Sequence, residues 1–120
     1  MDRRALLGLT RDAGGGGGGG ATYVRLSTVT ANARRGGGGS GVMTVETGLD
    51  VPDAGLRTRT TQSAPRLRAA YNAVVQRAAS ALLPGAPPDV DRLARELQAE
   101  TDRILGRTGA RVLLGTVMIA

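Results

Sequence analysis

The stretch from Asp53 to Leu83 constrains this chain more than any other. Leu56, Thr60, Ser63, Leu67, Ala70, Tyr71, Val74, Val75, Ala78 and Leu82 recur at intervals of three and four. That spacing lays one apolar stripe along a helix, which must find a second layer to cover it. Asp53 suits the N-cap, where its carboxylate can accept from the first free backbone N–H groups. Pro84-Gly85 ends the run, because proline cannot continue a helix. Pro65, in the middle, either kinks one long helix or starts a second one, with Ser63 or Ala64 just before it. The stripe keeps its phase across Pro65, so a continuous kinked helix is the expectation. Arg57, Arg59, Arg66, Arg68 and Arg77 fall on the borders of the stripe, where their stems cover apolar edge and their guanidinium groups reach water. They are the candidate contacts to a partner or an anionic surface. The far face, Thr58, Gln62, Ala69, Asn72, Ala73, Gln76 and Ser80, is small and uncharged; it is either solvated or packs against another copy.

A chain of 120 residues holds one ordinary domain. Residues 1–21 read as a disordered glycine-rich tail, with Gly14 to Gly20 a flexible tether. That run lacks the spaced glycines, Lys and Ser or Thr of a phosphate-binding loop. Residues 22–120 remain as a single domain. The start of the chain, Met1-Asp2-Arg3-Arg4-Ala5-Leu6-Leu7-Gly8-Leu9, resembles a twin-arginine export signal. Its apolar part stops at Thr10-Arg11-Asp12, short of the roughly 7–15 residues a signal uses, so it reads as a remnant. No run reaches the ~18 apolar residues of a membrane span.

The next segment, Thr22 to Arg34, is rich in β-formers and reads as a strand with Tyr23, Arg25 and Ser27 outward. The loop Arg35 to Gly41 contains Gly36-Gly37-Gly38-Gly39-Ser40, the sequence of common engineered linkers, and is either native or rebuilt. Val42 to Val51 is the clearest strand: Met43, Val45, Thr47, Leu49 and Val51 on one face, Val42, Thr44, Glu46, Gly48 and Asp50 on the other. The two strands form an antiparallel hairpin across the glycine loop. Beyond the organising helix, Val90 to about Leu105 forms a second helix with Val90, Leu93, Ala94, Leu97, Thr101, Ile104 and Leu105 as its stripe. Asp89 caps it, Asp91 favours its dipole, and Gly106 and Gly109 stop it. Arg92 with Glu96 and Arg103 with Glu100 stand at pairing distance on its solvated face. Arg111 to Ile119 is the last strand. It is apolar on both faces, and therefore expected to be the most buried strand or to lie in an interface. The order strand, strand, long helix, helix, strand gives an α+β fold: a small antiparallel sheet of about three strands with both helices on one face. Such a sheet leaves edges, and an uncovered edge invites a neighbour.

Composition argues against an enzyme. His and Cys are absent, so no Ser-His or Cys-His nucleophile can be built, no disulfide forms, and a metal site would need oxygen ligands alone. No Ca²⁺-loop spacing occurs among the acids. Glu46 and Asp50 share a strand face but stand about 13 Å apart, too far for a proton-sharing pair or a retaining glycosidase, whose carboxyl groups are about 5 Å apart. They read as solvent-face charges. No catalytic, cofactor-binding or metal residues are assigned. The basic residues, 16 in all, are every one Arg, and the net charge is +6. An anionic polymer or membrane surface is the alternative partner, but no aromatic residues interleave with the Arg, which disfavours nucleic acid.

Residues 22–120 resemble the periplasmic domain of the flagellar basal-body-associated FliL family. Thr30-Ala31-Asn32-Ala33 resembles the family's threonine-valine-asparagine-leucine strand end. Met43 to Val51 resembles its second strand, Pro65-Arg66-Leu67-Arg68-Ala69-Ala70 its proline-led helix segment, and Val112 to Ile119 its closing strand. The resemblance implies a stomatin/prohibitin-like domain without catalytic residues, which associates into rings around motor stator units. No apolar run in these residues matches the transmembrane helix that precedes the domain in the family. The expectation is a non-catalytic, exported interaction or scaffold domain, periplasmic or envelope-associated, with a protein partner or further copies of itself.

Overall fold

A computed structural model describes residues 21–34 and 39–120. The expected tail over 1–21, its export signal and glycine tether, and most of the loop over 35–41 therefore lie outside the described residues. The fold is α+β: β1 (Tyr23–Arg34), β2 (Ser40–Asp50), α1 (Ala54–Gln62), α2 (Ala64–Ala81), α3 (Val90–Leu105) and β3 (Arg111–Ile119). The three strands form one antiparallel sheet in the order β1-β2-β3. The helices cover one face and leave the other to solvent.

Local chemistry sets the element ends. The Asp53 carboxylate accepts from the Leu56 N–H at 2.8 Å, and that of Asp89 from the Arg92 N–H at 3.1 Å. Each satisfies a donor that a helix start leaves bare. Gly106 stops α3 at φ 77°, a left-handed turn that costs glycine little.

The organising stretch is two helices, not the one kinked helix expected. Pro65 has no N–H to give the Thr61 carbonyl, and its ring crowds that turn. The chain breaks at Ser63 (φ −92°, ψ 1°), whose N–H reaches back to the Arg59 carbonyl at 2.9 Å. Pro65 then sits in the first turn of α2, where a missing N–H costs nothing. The stripe survives the break: Leu56, Thr60, Ser63, Leu67, Tyr71, Val74, Val75 and Ala79 are all buried.

The core lies between the helices and the inner sheet face. Met43, Val45, Leu49 and Val51 face Leu67, Tyr71, Val74, Leu93, Leu97 and Leu105 within it. Inside, the Tyr71 hydroxyl meets that of Thr101, which in turn donates to the Leu97 carbonyl at 2.8 Å, so the buried polar atoms are paired. Burial pushes the Tyr71 phenol up to about 12, the Thr101 hydrogen bond opposes this, and the Asp102 charge adds to it.

The burial expected of β3 is not observed. β3 is an edge strand, and none of its residues is buried. The fully covered strand is β2, because it lies between the other two. Both edge strands carry a bulge at the same level. In β1 an extra residue falls between Arg25 and Thr28, opposite Thr47; in β3 Gly115 and Thr116 together oppose Glu46.

Candidate interaction surfaces

Several charged and polar side chains of this domain bond its own backbone. Arg57 donates to the carbonyls of Val51 (2.8 Å) and Pro52 (3.2 Å), closing the corner between β2 and α1. Arg66 reaches the Ser63 hydroxyl at 3.4 Å, at the helix break. Arg59, Arg68 and Arg77 are exposed. The structure does not gather the five. Arg66 and Arg77 share a side of α2 but stand three turns apart, about 16 Å, and Arg68 lies roughly 200° round from Arg66. What they share is sign: α1 and α2 carry these five Arg and no acid.

The acids expected to be plain solvent-face charges also hold structure. The Glu46 carboxylate accepts from the Thr116 N–H at 3.1 Å, a backbone donor that the β3 bulge turns out of the ladder. Asp50 accepts from the Thr22 hydroxyl at 2.7 Å and ties the start of β1 to the end of β2. Thr47 does the same on the inner side, donating to the Ser27 carbonyl in the β1 bulge at 3.1 Å. Arg92–Glu96 and Arg103–Glu100 pair as their spacing suggests, at 2.9 and 2.6 Å. Both pairs are solvent-exposed and contribute about 0.5 kcal/mol or less each.

Gln98 is the side chain that sequence reasoning missed. Its amide nitrogen donates to the Ala110 carbonyl at 2.8 Å, and its amide oxygen accepts from the Val112 N–H at 2.9 Å. Both backbone groups lie on the side of β3 away from β2. The amide thus takes the place of a neighbouring strand's peptide and closes the first part of that edge. The available signal was a long uncharged amide at the stripe border, four residues after Ala94.

An open, shallow hollow of about 400 Å³ lies beside Asp50, Gln98, Asp102 and Arg111. A hollow of about 80 Å³ between the bulges, lined by Tyr23, Arg25, Thr28, Glu46 and Gly115 among others, is too small for an ordinary organic ligand. The outer face around it is close-packed: a Cβ added at Gly48 would collide with the Tyr23 ring lying across it. Among the described residues no three acidic side chains converge on a point, and no helix is long and apolar enough to cross a membrane.

Two surfaces remain. One is the uncharged outer face of α2, Ala69, Asn72, Ala73, Gln76 and Ser80, all exposed. The other is β3, with Met118 47% exposed and, among the described residues, no strand on its outer edge. The molecule is a small α+β domain with a one-sided three-stranded sheet. No protein-family model matches the sequence, and no curated protein matches it significantly.

Proposed function

We propose that this chain is a non-catalytic, exported interaction domain, resembling the periplasmic part of the FliL family, that works at the cell envelope by associating with itself or with a protein partner. The observation that carries this reading is the apolar edge strand. Val112, Leu113, Leu114, Val117, Met118 and Ile119 are apolar, yet none is buried within the single chain. Apolar surface left in water is a standing drive to associate. The uncharged α2 face supports the same reading, as does the employment of Glu46 and Arg57 in holding backbone and of Asp50 in holding the Thr22 hydroxyl. The Arg3-Arg4 start supports export, and the FliL resemblance supports a periplasmic site and a place beside the flagellar motor.

Two experiments test it. Light scattering across a concentration series should show a species heavier than the 12.3 kDa chain; a strict monomer at high concentration removes self-association. A reporter enzyme fused after residue 21 should appear in the periplasm; retention in the cytoplasm removes the exported role.

A second reading rests on the sign of α1 and α2: an Arg-rich module that holds an anionic polymer or membrane surface. Its signature is binding to DNA or anionic vesicles that weakens steeply with salt. Binding that ignores salt would count against it.

A further inference from the structure

The free edge of β3 has a geometry that fits itself. Ala120 and Val42 exchange both backbone hydrogen bonds, each 3.0 Å. Alternation makes Thr44 and Met118 the next bonded pair and turns the N–H and C=O groups of Val117 and Ile119 away from β2. Beyond the bulge, Val112 faces the same free edge, as its bond to Gln98 shows, and so does Leu114 two residues on. Val112, Leu114, Val117 and Ile119 also turn their side chains toward the core, whereas Leu113 and Met118 lie on the open face. The bulge at Gly115–Thr116 sits at the midpoint of these positions.

We propose that β3 is a self-pairing edge: two copies join antiparallel about a two-fold axis through the Gly115–Thr116 bulge. This register sets Val112 against Ile119, Leu113 against Met118 and Leu114 against Val117 of the second copy. Core-facing residues meet core-facing residues, and open-face residues meet open-face residues. The edge-facing backbone groups fall opposite one another as bonded pairs. The extra bulge residue restores this match, since a strand of even pleat could not pair these positions face to face. No charge lies between Val112 and Ile119 to repel the approach. The other sheet edge offers no such fit: β1 carries Arg25 and Arg34, and Ser27, Thr28, Thr30 and Asn32 between them. In the pair the Ile119 carbonyl of the second copy takes the Val112 N–H from Gln98, whose amide is the single-chain substitute for that strand. The two three-stranded sheets become one of six strands. The inference rests on the self-association reading above and assigns it a surface and a symmetry.

The chain has no cysteine, which gives a clean test of register. Leu113 and Met118 form a non-bonded cross-strand pair between copies, the geometry a disulfide accepts, while within one chain they stand roughly 16 Å apart. The double variant Leu113→Cys/Met118→Cys should give a covalent dimer on mild oxidation, and neither single variant should. Val117→Pro removes an N–H that faces the free edge, not the β2 ladder, so the fold should persist while dimerisation weakens by at least about tenfold. Val117→Thr keeps that N–H and should dimerise like the parent. A dimer by sedimentation that neither cross-links through the Cys pair nor responds to Val117→Pro would overturn the edge assignment and leave self-association standing. A strict monomer would remove both.

Discussion

β2 and β3 lie side by side, and β3 is the more continuously apolar of the two. Yet Met43, Val45, Leu49 and, just beyond the strand, Val51 are essentially inaccessible, whereas no residue of β3 is buried. The difference is one of position. β2 has a strand on each side and α2 against its inner face; β3 has a strand on one side and meets chiefly α3. Apolar content measures how much a strand gains from being covered. It does not say whether its own chain supplies the cover. β3 packs Val112, Leu114, Val117 and Ile119 against the core but leaves them half-covered beside an open strand edge, the kind of edge that invites pairing.

The comparison can be broken first at its strong end. Leu49→Ala in β2 leaves a cavity in a packed core and should cost about 3 kcal/mol, read as a lower urea midpoint. Leu113→Ala, at the neighbouring register position on the open side of β3, should cost the isolated chain less than about 1 kcal/mol. Equal losses would mean that β3 is as covered as β2. The dryness beneath the sheet can be read by pH. Tyr71 keeps its proton to about 12 when folded, whereas an unfolded tyrosine releases it near 10. Above pH 10 the unfolded chain binds fewer protons, so stability falls as pH rises, by roughly 1.4 kcal/mol per unit, until about pH 12. Tyr71→Phe should abolish that alkaline loss in a denaturant series, at a cost near neutral pH of about 1 kcal/mol for the lost Thr101 hydrogen bond. An unchanged alkaline limb would show that the phenol is wet. The sharpest test of the comparison is at Gln98. Gln98→Ala should cost the monomer about 1 kcal/mol, because water replaces part of what the amide supplied. The same change uncovers the β3 edge, so it should tighten the dimer; a dimer that weakens in step with stability would show that Gln98 only supports the fold.

Much of the architecture was legible in the chain itself. Asp89 and Gly106 mark both ends of α3 by local chemistry, and the alternation from Met43 to Val51 fixes which side of β2 is inward. The helix break at Ser63 was harder to read, because a tight turn before Pro65 preserves the phase of the stripe and periodicity cannot distinguish it from a kink. The candidate surface was half legible. The five Arg of α1 and α2 were visible as a set, but Arg57 bonding the Val51 carbonyl depends on how the corner folds. The bonds of Glu46 to Thr116 and Gln98 to Val112 join residues 70 and 14 positions apart, which no local pattern records.

The sequence alone determined which segments are helix and strand, which faces are apolar, and that no nucleophile–histidine pair or thiolate site can be built. Those follow from side-chain identity, spacing and backbone preference, all local quantities. Tertiary structure decided which apolar strand is central and which is the edge, where the two bulges fall on either side of β2, and which polar groups are consumed in holding backbone. Strand order and cross-strand hydrogen bonds set these, and both depend on pairing between segments far apart in the chain.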